Sequence, residues 1–135
     1  MRFGARKFAC VRFWTLDEAT GALPEVRVLV ARLRELVAVA QHEAPRAGGN
    51  GAPSGNGRRS ASGGAAEELR TVLGTLTDQG IVVRDAARGL IDFPARSVSG
   101  REYLLCWLDG EPAIEWWHWP DAGFGGRTPL STPPD

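Results

Sequence analysis

The hydrophobic rhythm of the chain changes at Gly80, and that change limits the fold more than any other feature. Up to there apolar residues recur at steps of three and four; beyond it they alternate with polar ones and turn β-like. The first spacing buries one face of an α-helix, and the second buries one face of a strand. Two helices followed by a run of strands read as α+β: an antiparallel helical hairpin packed on one face of a roughly four-stranded antiparallel β-meander.

Local signals place the elements. Thr15 and Glu18 form a capping box at the start of helix one (12–44), in which hydroxyl and carboxylate each take an amide that the first turn leaves unpaired. Leu23, Val26, Val30, Leu33 and Val37 make its apolar stripe, and Leu29, Leu36 and Val39 widen it. Pro24 removes an amide and predicts a kink or restart, which Gly21 would ease. From 45 to 64 glycine, serine, alanine and proline dominate, which predicts a flexible linker, with Arg58 and Arg59 as part of a solvated tether. Helix two (65–80) turns Leu69, Val72, Leu73 and Leu76 inward; Gly74 suggests a close crossing and Gly80 a left-handed end.

Strands are expected at Ile81–Arg84, Leu90–Phe93, Tyr103–Leu108 and Ala113–His118, within a meander over 81–119. Asp85 and Gly89 suit a bulged turn between the first two, and "DGEP" reads as a four-residue loop between the last two. An irregular tail, 120–135, completes a single domain.

Acids and bases balance at 16 each, with a pI near 6.7, so no basic footprint points to nucleic acid or an anionic membrane. The two cysteines, Cys10 and Cys106, are too few for a disulfide scaffold, and their separation matches no zinc motif. Without a long apolar run or a signal-peptide pattern, the expectation is a soluble cytoplasmic protein.

The blocks "FWTLDEATGALPEVR", "GIVVRDAARGLIDFPA", "REYLLCWLDGEP" and "WHWPDAGFGGRTPL", in that order, resemble the domain-of-unknown-function family 2203, small bacterial proteins. The resemblance spans nearly all of the chain outside the linker. It maps the family pattern onto Asp92, Cys106, Trp107, Gly110, Glu111, Trp117, His118, Gly123, Phe124, Gly126, Arg127, Pro129 and Leu130. It implies a fold and no activity.

The chemistry is concentrated near the end, where Trp116, Trp117 and Trp119 crowd around His118. Glu115 and His118 have an E-x-x-H spacing, but on a strand residues three apart face opposite ways, so they do not form a metal site. With a "DGEP" loop, Tyr103 opposes His118 and Cys106 opposes Glu115. That register sets Cys106 on the opposite face from His118, as a small buried hydrophobe. Asp92 interrupts an apolar strand and needs a partner, because an unpaired buried carboxylate is costly. Arg127 or His118 could supply one, so Asp92, His118 and Arg127 are expected to converge. "GFGGR" has the wrong spacing for a dinucleotide fingerprint.

The resulting expectation is a non-enzymatic binding module with ligand-binding candidates Asp92, Glu111, Trp117, His118 and Arg127, no metal assigned and no cofactor identified. Tryptophans on both faces of the last two strands predict an exposed aromatic surface for a protein partner or a second copy. The rival reading is a small metal-binding protein or enzyme using His118 with Asp92, Glu111 or Arg127.

Overall fold

The computed structural model describes residues 12–50 and 55–135. Helix α1 (Leu16–Asn50) and helix α2 (Gly55–Asp78) are followed by strands β1 (Val82–Asp85), β2 (Leu90–Arg96), β3 (Glu102–Leu108) and β4 (Trp116–His118). A 3-10 turn (Phe124–Gly126) and a short strand β5 (Thr128–Pro129) complete the chain. The five strands pair antiparallel in chain order, so the architecture is α+β.

The start of α1 is fixed by the capping box: the Glu18 amide donates to Thr15 Oγ1 at 3.0 Å and the Thr15 amide to Glu18 Oε1 at 3.1 Å. The helix then runs through Pro24 without a break. Ala19, Leu23, Val26, Val30, Leu33 and Leu36 are buried at helical spacing. They pack with Val72 and Leu76 of α2 against Ile91, Phe93, Ala95, Leu105 and Trp107 of the sheet. Burying each large apolar side chain contributes roughly 1.5–3 kcal/mol. Across the outside of the hairpin, Arg32 grips Glu68 with two bonds of 2.6 and 2.7 Å.

The helices extend further into the 45–64 segment than a linker would allow, α1 reaching Asn50 and α2 beginning at Gly55. Once nucleated, a helix adds a hydrogen bond for each residue it fixes, and an alanine- and glycine-containing tract can follow. Residues 51–54, Cys10 and the Arg58 and Arg59 side chains lie outside what is described.

The sheet departs from expectation at its far edge. Strand β4 is three residues long, because Ile114 leaves the ladder and buries itself in the core. The β3–β4 loop therefore spans Asp109–Glu115 rather than four residues. Leu104, not Tyr103, opposes His118, and Cys106 opposes Trp116. A one-residue slip transfers every side chain to the other face. The tail is also less irregular than expected: Thr128 and Pro129 add a strand to β4.

The expected exposed aromatic surface is absent among the described residues. Trp14, Trp107 and Trp117 are buried, and Trp116 and Trp119 are partly covered. The tail closes over the sheet face that the helices leave open, which removes the basis for an aromatic contact surface.

The turn into β2 is the tightest point of the hairpin stack. Gly89 has φ +76°, and a Cβ there would lie 2.7 Å from Asp109 Cβ and 2.9 Å from Val30 Cγ1. Both the left-handed backbone and the space require glycine. Gly89→Ala should lower stability by about 2–4 kcal/mol, read from chemical denaturation, whereas Gly100→Ala, also left-handed but in open space, should cost less.

Candidate functional site

Strand alternation divides the sheet residues sharply. Ile91, Phe93, Leu105 and Trp107 face the helices. On the opposite face, Asp92 pairs in register with Cys106, and the next strand brings in Trp116 and His118. Asp92 and His118 are the buried polar residues among those described, 0% and 1% exposed.

Strand β1 supplies the fourth member. The β1–β2 register shifts between Val83 and Asp85, leaving Arg84 as the extra residue of a bulge. Bulges commonly re-aim a side chain, and this one places the Arg84 guanidinium over Asp92: Nε donates to Oδ2 at 2.6 Å. The same oxygen lies 3.0 Å from His118 Nε2. Asp92 Oδ1 is buried with no partner.

The hydrogen-bond pattern constrains the imidazole. His118 Nδ1 lies 2.7 Å from the Trp119 carbonyl oxygen, which can only accept, so Nδ1 carries a hydrogen. Nε2 then faces a carboxylate oxygen. If neutral, the ring turns a lone pair toward that oxygen; a second proton, or another cation, must sit between them. Such a buried contact is favourable only when that position is filled.

Cys106 completes the cluster. One donor atom from each of Asp92, Cys106 and His118 lies within 4.8 Å of the others. Burial, and then the negative charge of Asp92, pushes the Cys106 thiol up to about 12, with Arg127 opposing the shift. A shift in that direction favours the protonated thiol, the less nucleophilic form. The expected separation of Cys106 from His118 does not hold: the slipped register brings the two together on one face. A cavity of about 80 Å³ adjoins the cluster, lined by Arg84, Leu90, Asp92, Cys106, His118, Gly123 and Phe124.

The remaining candidates fall elsewhere. Arg127 does not reach Asp92, whose guanidinium partner is Arg84. Instead it makes a forked pair with Glu111, at 2.7 and 3.2 Å, between the rings of Trp116 and Phe124. Its Nη1 approaches Cys106 Sγ at 3.9 Å, so this pair borders the cluster without joining it. Glu111 also accepts from the Leu108 amide, and its carbonyl accepts from Trp107 Nε1 and Arg27. Trp117 lies on the helix side of the sheet, its Nε1 donating to the Thr132 carbonyl at 2.8 Å. It packs edge-on against Tyr103 and Trp119.

Sequence reasoning passed over Arg84, and it set Cys106 aside by placing it on the wrong face. Pairing "LIDF" with "LLCW" across the β2–β3 hairpin would have set Asp92 opposite Cys106. Arg84 gave no comparable signal, because its position depends on the bulge.

The family described as "Uncharacterized conserved protein (DUF2203)" matches residues 12–130. No curated protein and no solved structure matches the chain.

The Glu111–Arg127 pair gives a test of how the tail is held. Glu111→Gln and Arg127→Met should each destabilise, and together should cost less than their sum by about 1–3 kcal/mol in a double-mutant cycle. Strict additivity would mean that the forked pair does not form.

Proposed function

The chain belongs to the DUF2203 family, and within that family we propose that it is a metal-binding module whose Asp92, Cys106 and His118 hold a divalent ion of the zinc type. The observation that carries this reading is the orientation of His118. A metal-ligating histidine presents one nitrogen to the ion and donates the other N–H, often to a backbone carbonyl. His118 donates from Nδ1 to Trp119 and leaves Nε2 turned to the carboxylate. An ion there would replace the proton that the apo arrangement needs.

The donor set supports the same reading. Thiolate, imidazole and carboxylate together suit zinc and its neighbours rather than magnesium or calcium. Asp92 Oδ1 is a buried donor without a partner, so an ion could take it while Arg84 keeps Oδ2. Tetrahedral bonds of about 2.0–2.3 Å would set the donors roughly 3.3–3.8 Å apart. The three donors now lie within 4.8 Å of one another, and the 3.0 Å contact between His118 Nε2 and Asp92 Oδ2 would have to open for the ion to enter. A bound cation also removes the thiol proton that burial otherwise retains.

Among the described residues no helix is long and apolar enough to cross a membrane. Glu111 and Arg127, candidates for an enzymatic role with His118, are committed to each other, which favours binding over acid–base chemistry at their carboxylate and guanidinium.

Cobalt(II) tests the proposal, because a thiolate ligand gives it a charge-transfer absorption. In a Cys10→Ser background, one equivalent should produce that band and raise the melting temperature, and zinc should displace it. Cys106→Ser should abolish the band, and Asp92→Asn or His118→Gln should weaken binding by about 10–100-fold or more. No band, or one that survives Cys106→Ser, would refute metal binding at this site.

A further inference from the structure

Three side-chain donors leave one position of a four-coordinate ion open, and the surroundings of the cluster indicate what would fill it. Resting on the metal site above, we propose that the cavity accepts a small monoanion with a carboxylate-type oxygen pair, held between the ion and the outer edge of Arg84.

Charge is the first argument. A divalent ion held by the Asp92 carboxylate, the Cys106 thiolate and a neutral His118 is electrically balanced. Arg127 is balanced by Glu111. The Arg84 charge is then left over, because its carboxylate partner is shared with the ion. A single negative charge beside Arg84 would restore balance at a site whose inner wall is dry.

The second argument is the disposition of donors. Arg84 uses Nε on Asp92, and its two terminal nitrogens make no hydrogen bond among the described residues. The side chain is 42% exposed and lines the same cavity as the three donors. A guanidinium with one edge fixed and the other open to a cavity is preorganised for a forked contact with an oxyanion. Outside, Arg88 lies 5.1 Å from the Phe124 ring, adding a second positive group at the rim, partly offset by Asp85 at 3.8 Å.

Size selects the class. A space of about 80 Å³ holds a few non-hydrogen atoms, so an acetate- or bicarbonate-sized ion suits it, whereas a larger ligand would have to displace Phe124. Gly123 and Phe124 form the tail wall of the cavity, and neither offers a competing side-chain charge.

The experiment uses the cobalt-loaded full-length chain at fixed ionic strength, with acetate as the probe. Acetate should change the cobalt visible (d–d) absorption saturably while the thiolate band persists. Arg84→Met should retain the thiolate band but weaken acetate binding at least about tenfold, as expected for loss of a charge-assisted contact. Arg84→Lys, which keeps a charge over Asp92 but loses the fork, should weaken it less, and provides the comparison if Arg84→Met does not fold. A cobalt spectrum insensitive to acetate, or equal acetate affinity in the folded Arg84 variants, would overturn the anion site and leave the metal site standing. Absence of the thiolate band would instead remove the metal site, and the anion site with it.

Discussion

Asp92 is a carboxylate in the middle strand pairings of a sheet, with no exposure to water. Its charge cannot be left alone in that position, since removing one partner of a buried ion pair typically costs about 3–5 kcal/mol. The whole tail-side face is arranged around this requirement. The bulge in β1 delivers Arg84, the β3–β4 register delivers His118, and Gly123 and Phe124 of the tail wall the adjoining cavity. Each partner comes from a different segment, so the carboxylate ties β1, β2 and β4 together, while the helices hold the other face by apolar packing and by Arg27 and Arg34 of α1 bonded to the loops at its end.

The same arrangement explains the position of the Glu111–Arg127 pair. The 3-10 turn and β5 have little apolar surface with which to stay closed, and the turn buries no residue. Arg127 compensates by pairing with Glu111, lying against Trp116 and Phe124, and approaching Cys106. The Glu111 carboxylate in turn accepts from the Leu108 amide, and its main-chain carbonyl accepts from Trp107 and from Arg27 of α1. The cover of the cavity is thus connected to the core by a short chain of polar contacts, so a loss at Glu111 would be felt both in the tail and at the end of β3.

Features encoded by neighbouring residues were legible in the sequence. The Thr15–Glu18 cap, the apolar stripe from Leu23 to Leu36 and the Asp85–Gly89 turn depend on spacing within a few residues. The need of Asp92 for a partner, and His118 as one, were also legible, because an acid in an apolar strand is conspicuous. What failed was decided by tertiary packing. Ile114 prefers the core to the ladder, which lengthens the loop and slips the register, and that slip moves Cys106 to the face of His118. Thr128 and Pro129 are too short a strand to show periodicity. The bulge at Arg84 leaves no mark that an alternating pattern would reveal, so the guanidinium was assigned to Arg127 instead. The helices' advance into the 45–64 segment runs against its glycine content, which argues for a linker on local grounds.

The central claim is that His118 keeps its hydrogen on Nδ1 and offers Nε2 to whatever lies beside Asp92. Long-range proton–nitrogen NMR of the His118 ring reads this directly. Without metal, Nδ1 should be protonated and hydrogen-bonded; on adding one equivalent of zinc, Nδ1 should stay protonated while Nε2 moves to the shift of a ligated nitrogen. A ring whose Nδ1 loses its hydrogen, or whose Nε2 signal ignores zinc, would contradict the account.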